Sequence, residues 1–310
     1  MSSNSNLNNT APQEENPITV RHLVILGILS IVCGSSFILI KKALVSFKPF
    51  DLACMRIAIS ALAFTPIVII RRKDIPWHRW KLFLTVGLTG SGIPAFMYFL
   101  AQTNINSMVS GLLNSLTPIW TLIIGILIFK NPFDKQKIAG VTIGFVGAAA
   151  LILFGDDKGS NANLWYGLFV VVGTLCYGMS GNLVKHYLQD TKSIIISATS
   201  FFLIGAPAII YLIANGSLTD IAFDADQLYS LGAVLILSLV GTVLATIIFY
   251  QLIQETNAVF GSSVAYLMPL VAILWGFLDG EGLGLVVAIS MILILTGVYL
   301  IKRKSPSTNS

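Results

Sequence analysis

The sequence predicts an all-α integral membrane protein of ten transmembrane helices in a 5+5 inverted repeat, on three observations. Charge is scarce: 11% of the 310 residues are charged and 55% hydrophobic, with a mean hydropathy of +0.83, where an ordinary globular domain carries roughly 25% charged residues. The 19 basic and 14 acidic side chains cannot cover a soluble particle of this size. A soluble enzyme is excluded, as is a disordered, collagenous or disulfide-scaffold chain. The apolar residues fall into ten runs near the ~20 residues that cross a bilayer as helix. The two halves also share spaced residues in the same order.

Residues 1–20 are polar, rich in Asn and Ser, and charged only by acids, which reads as a disordered cytoplasmic tail. The ten runs follow as His22–Ile40, Phe50–Ile70, Trp80–Ala101, Ile105–Phe129, Gln136–Phe154, Leu164–Val184, Ser193–Ala214, Gln227–Leu252, Asn257–Leu278 and Leu283–Ile301. No alternating strands separate them, so a β-barrel fits poorly. Residues 21–155 form the first five-helix unit, 156–304 the second, and 305–310 a short cytoplasmic tail.

Orientation follows from the bases. Arg21, Arg71, Arg72, Lys73, Arg79, Lys81, Lys130, Lys135, Lys137, Lys185, Lys192, Lys302, Arg303 and Lys304 gather on one side. Only Lys41, Lys42, Lys48 and Lys158 fall on the other, with Asp156, Asp157, Asp220, Asp224 and Asp226. Both termini are therefore expected in the cytoplasm of a cell (inner) membrane, and the net charge of +5 reflects orientation, not nucleic-acid binding.

Gly34, Ser36 and Lys41 recur as Gly178, Ser180 and Lys185 at an offset of 144. Gly90, Asn106, Leu116, Pro118 and Gly125 recur as Gly241, Asn257, Leu267, Pro269 and Gly276 at 151, and Gly147 as Gly297 at 150. With five crossings per half, the second copy enters from the opposite side. That is an inverted repeat, whose substrate site lies near the midplane between the copies.

The run GSSFILIKKAL, followed by KPFDLACMRIAISALAFTP, resembles the opening of a drug/metabolite transporter superfamily protein of the EamA type. The Pro269 helix, leading through LVAILWGFLDGE to Glu281 and a last helix with Gly297, resembles that family's ending. The resemblance covers about residues 22–301. It implies a cavity lined mainly by helices one, three, four, six, eight and nine, with five and ten as scaffold, and transport of small organic metabolites, often outward. It also implies an acidic residue ending the fourth helix, where Lys130 stands.

Charge inside a bilayer marks function by default. Lys41 and Lys185 close matching runs, either as basic mouths of a pathway or as side chains reaching the headgroups. Lys42 reads as the latter. Arg56 lies six residues into its run, roughly 9 Å of helix, with Asp279 or Glu281 in reach as counter-ion. It reads either as a structural or headgroup-reaching base, or as the partner of Glu281 at an outer gate. Pro118 and Pro269 read as paired kinks at the site or its hinges, among helix interruptions that include Pro94 and Pro207. Polar and aromatic candidates for the substrate pathway are Ser36, Tyr98, Gln102, Asn114, Trp120, Tyr177, Asn182, Tyr250, Gln251 and Tyr266. Their mix of amide groups and one-handled aromatic rings suits an amphipathic organic solute. Gly140/Gly144 and Gly276/Gly280 allow close helix approach, within one chain or in a homodimer.

No H-E-x-x-H, G-x-S-x-G or P-loop occurs. Cys33, Cys54 and Cys176 are odd in number and lie in apolar runs. No enzyme activity, metal or other cofactor is expected; the expected partners are a small-molecule substrate and the lipid bilayer, as monomer or homodimer. The function expected is alternating-access secondary transport of small organic metabolites, with export of amino acids or related amphipathic compounds as the leading reading. Sugar-phosphate or nucleotide-sugar exchange is the alternative within transport. A non-transporting receptor or structural subunit is the alternative outside it.

Overall fold

The computed structural model describes residues 18–131, 135–154, 164–217, 224–282 and 284–302. Most of the expected N-terminal tail (1–17), the whole C-terminal tail (305–310), and the loop residues Asp156, Asp157, Lys158 and Asp220 lie outside the described residues, while Val20 already belongs to the first helix. Every regular element among those described is helical.

The chain begins with α1 (Val20–Ala43) and α2 (Pro49–Ile70). The third crossing, Trp77–Ala101, is built from α3 (Trp80–Gly87), a π-helical turn Leu88–Gly92 and α4 (Ile93–Ala101). The fourth, Ser107–Leu127, joins α5 (Ser107–Leu113) to α6 (Thr117–Leu127) through a 3₁₀ turn. Then come α7 (Lys135–Phe154), α8 (Gly167–Tyr187) and α9 (Ser193–Ala214). A 31-residue crossing follows: α10 (Ala225–Ser238), a second π turn Leu239–Leu244 and α11 (Ala245–Glu255). The chain closes with α12 (Ala258–Ser262), α13 (Val264–Leu278) and α14 (Leu285–Lys302).

Eight of these stretches are long and apolar enough to cross a membrane. The expected fifth and tenth crossings correspond to α7 and α14, helices of 20 and 18 residues. These two helices pack chiefly on each other. A methyl group added at Gly297 would stand 2.4 Å from Gly144 N and 2.5 Å from Gly140 O. The spacing of Gly140 and Gly144 is thus used inside the chain, for backbone-to-backbone contact. Large apolar side chains such as Ile70, Phe277 and Leu285 are over 70% exposed, which suits lipid and not water. The Ser107–Leu127 stretch is 83% buried, against 33–56% for the others, so it is the central helix of the bundle.

Residues that match between the halves do the same local work. The Asn106 carboxamide caps α5 by accepting from Val109 N at 2.8 Å, and Asn257 caps α12 by accepting from Phe260 N at 2.7 Å. Asn106→Ala and Asn257→Ala should each cost about 1 kcal/mol, the usual value of such a cap, read as lowered denaturation midpoints in detergent. The two π turns contain Gly90 and Gly241. Gly34 packs its backbone against Met268 and Val271, and Gly178 packs against Trp120 and Thr121.

The prolines do not act as a simple pair. Pro118 opens α6 behind the 3₁₀ turn, where its missing N–H costs nothing, while Pro269 stays inside α13. Pro94 opens α4 behind the π turn, and Pro207 and Pro66 lie inside α9 and α2. The fourth helix ends differently from the reading that put Lys130 at its expected acidic position. Lys130 and Gly280 share a left-handed backbone, at φ 56° and 80°. The next residues turn back alike, Asn131 N to Gly125 O at 3.0 Å and Glu281 N to Gly276 O at 2.8 Å. Asn131 therefore holds the place of Glu281 in the first half.

Candidate solute pathway

One end of the bundle is held by an ionic network. Lys41, in the last turn of α1, donates to Glu281 Oε1 at 2.8 Å and lies 2.7 Å from Asp279 Oδ2; Lys42 pairs with Asp279 Oδ1. The Glu281 side chain is only 4% exposed. It also accepts from Ser107 Oγ at 2.8 Å, Ser107 N at 3.2 Å and Met108 N at 3.1 Å, the free amides that begin α5. One carboxylate thus ties α1 to the start of the central helix. Burial pulls the Asp279 carboxyl upward, but the Lys41 and Lys42 ammonium groups outweigh it and hold it below its ordinary value.

The opposite end of α1 is tied to the end of α11. Glu255 accepts from Gln251 Nε2 at 2.7 Å, lies 3.1 Å from His22 Nε2 and 3.5 Å from Arg21 Nη2. His22 also reaches back to Thr19 at the helix start. Nearby connections are closed by Lys185 Nζ donating to Thr256 O at 2.5 Å, by Gln254 Nε2 donating to Leu188 O and Thr191 O, and by Arg79 clasping Asp190 at 2.8 Å.

Between the ends, the aromatic candidates meet. Tyr98 of α4 donates to Asn114 Oδ1 of the 3₁₀ turn, and its ring lies 5.9 Å from both Phe37 and Tyr177. Asn114 Nδ2 faces Met268 Sδ at 3.4 Å. Tyr250 Oη and Ser180 Oγ are 3.1 Å apart and press on Gly90, where an added methyl would stand 2.3 Å from the phenol oxygen. Ser36 Oγ presses on Gly241 in the same manner, at 2.8 Å from such a methyl. Each π turn thus offers its glycine to the serine of the matching helix from the other half. π turns recur at functional sites because they aim one extra residue out of register.

Other candidates serve packing. The Asn182 carboxamide donates to Thr121 O at 2.9 Å and Gly178 O at 2.8 Å, tying α8 to α6. Trp120 packs edge-on against Phe145 at 5.0 Å, and Tyr266 packs on the main core. Gln102 donates to Ser110 Oγ at 3.3 Å, and Gln251 belongs to the Glu255 cluster.

Arg56 is not the partner of Glu281. Its Nε donates to Thr242 Oγ1 at 2.8 Å, in the second π turn, while Glu281 is taken up by Lys41 and α5. Lys42, read as a headgroup-reaching side chain, is instead paired with Asp279. Sequence reasoning missed Ser107, Ser180, Thr242 and the His22–Glu255 pair as site residues, and weighed Asp279 only as an alternative counter-ion of Arg56. Two of these carried a signal: Ser180 matches Ser36, and Thr242 matches Ser91 at the same offset of 151 as their glycines.

Among the described residues no group of three or more His, Cys, Asp or Glu side chains converges as a metal site would require. An uncharacterized transporter of Archaeoglobus fulgidus is 24% identical over 91% of this chain and 98% of its own length. The uncharacterized inner membrane transporter YedA of Escherichia coli K12 is 24% identical over 89% and 91%, and Protein PecM of Dickeya dadantii 25% identical over 83% and 88%. A crystal structure with 17% identity superposes at a TM-score of 0.62, covering 92% of this chain and 97% of that one, and so shares its fold. The EamA-like transporter family matches residues 22–153 and 164–303, nearly the whole apolar chain, and this multi-pass membrane protein belongs to that family.

Proposed function

We propose that the protein is a secondary transporter of small organic metabolites, working by alternating access through the Tyr98–Tyr177–Tyr250 region. The observation that carries this is the exchange of matched contacts: the π turn of each half receives the serine of the other, Ser180 on Gly90 and Ser36 on Gly241. Such reciprocity supports ten crossings in a 5+5 inverted repeat, with units at 21–155 and 156–304, since two inverted copies packed together must make each contact twice. In this reading the Lys41–Glu281 network is the outer latch and the His22–Glu255 cluster the inner one, with both termini cytoplasmic in the cell membrane. Opening alternates as α1 releases α5 and α13 at one end or α11 at the other.

The preferred solutes are amino acids or related amphipathic compounds, moved outward. Sugar-phosphate exchange is disfavoured by the ion pairs of Lys41, whose charge is already met by two carboxylates. In proteoliposomes, counterflow of at least one solute from a panel of amino acids, amines and organic acids is expected. No counterflow with any of them would favour the receptor or structural alternative.

A further inference from the structure

We infer that Arg56 is the anion-binding residue of the solute site, and that the solute is an amphipathic organic monocarboxylate, free or as an amino acid. The inference deepens the transport reading and rests on it for its physiological meaning.

Arg56 is carried by α2 and reaches the second π turn, where Nε is fixed by Thr242 Oγ1 at 2.8 Å; Thr242 in turn donates to Leu237 O at 2.9 Å. No acidic side chain among the described residues forms an ion pair with it. The nearest acid on its own helix, Asp51, is engaged by Ser217 and Tyr211. The candidate counter-ion Glu281 is committed to Lys41 and α5, and Asp279 to Lys41 and Lys42. Arg56 is only partly buried; Ser36, which presses on the same π turn, precedes Phe37, whose ring lies 5.9 Å from that of Tyr98.

A guanidinium held by Nε keeps its Nη1/Nη2 edge for a second partner, and that planar two-donor edge matches a carboxylate. One positive charge neutralises one carboxylate. A phosphate dianion would leave a net negative charge in a low-dielectric site, which is costly. The Tyr98 and Tyr177 rings, with Phe37, supply an apolar wall for the solute body. The device that anchors Arg56 is the same π turn that receives Ser36, so occupancy by a carboxylate bears directly on the α1 contact.

The test uses the purified full-length protein and calorimetric titration with phenylalanine, leucine and phenylacetate, each beside its carboxamide, and with glucose 6-phosphate. At least one carboxylate should bind, at least tenfold more tightly than its carboxamide. Arg56→Gln should erase that preference, weakening the carboxylate tenfold or more and leaving the carboxamide unchanged, while Arg56→Lys should retain part of it. If Arg56→Gln fails to fold, Arg56→Lys with its carboxylate-to-carboxamide ratio decides. Failure of every carboxylate to bind, binding of glucose 6-phosphate alone, or an unchanged ratio in the variants overturns the inference. Transport is scored separately by counterflow: movement that ignores Arg56 sinks this site and spares the transporter, while Arg56-dependent binding without counterflow does the reverse.

Discussion

Glu281→Ala is expected to destabilise the protein by about 3–5 kcal/mol, the usual consequence of removing one member of a buried, hydrogen-bonded charge pair. Four atoms of the protein lose by it. Lys41 keeps only Asp279, and Ser107 N, Ser107 Oγ and Met108 N lose their acceptor at the start of the central helix. Glu281→Gln retains an acceptor for the two amides and should cost about half as much. Chemical denaturation in a fixed detergent measures both; a loss below about 1 kcal/mol for the alanine variant would mean that the network does not hold this end together.

The same network has a pH signature carried by Asp279. Its folded value is depressed, so its contribution is complete above the unfolded carboxylate value of about 3.9. That contribution is lost only as pH falls through the lower folded value. The stability gap between the protein and Asp279→Asn should therefore be constant from about pH 8 to pH 5 and close below about pH 4.

Gly297→Ala is expected to be the most damaging single methyl addition on the α7–α14 face. The new carbon would meet Gly144 N at 2.4 Å and Gly140 O at 2.5 Å, both backbone atoms that cannot rotate away. The helices must separate, at a cost of about 1–3 kcal/mol. Gly27→Ala and Gly232→Ala meet nothing within 4 Å. They should be neutral or stabilising by up to about 1 kcal/mol, because alanine favours helix over glycine. Thermal midpoints compare all three. In the transport reading α7 and α14 are scaffold, so Gly297→Ala should lower stability with solute affinity unchanged; equal loss of both would place this pair in the pathway.

The central assembly was partly legible in the residues. Ser36, Tyr98, Asn114, Tyr177 and Tyr250 announce themselves as polar groups in apolar helices, and the spacing of Gly90 and Gly241 marks matching positions. Periodicity could not show that each glycine sits in a π turn, because one residue added to a helical turn leaves no mark in the spacing of apolar side chains. Nor could it show that Asn131, and not Lys130, answers to Glu281. That correspondence comes from a shared left-handed residue and a returning amide bond, and a one-residue shift in such a turn leaves no periodic trace.

The charges divide the same way. From the sequence alone came the membrane class, the family resemblance and the short roll of intramembrane ions, because the cost of burying charge in lipid restricts where any ion can stand. Partnership needed the tertiary structure. Arg56 and Glu281 lie 225 positions apart, and which base meets which acid depends on helix rotation and on the ångström-scale reach of each side chain. Packing gave Glu281 to Lys41 and α5, and left Arg56 at the π turn with one edge unpaired by acid among the described residues. Scarcity of charge is a property of composition; its assignment is a property of geometry.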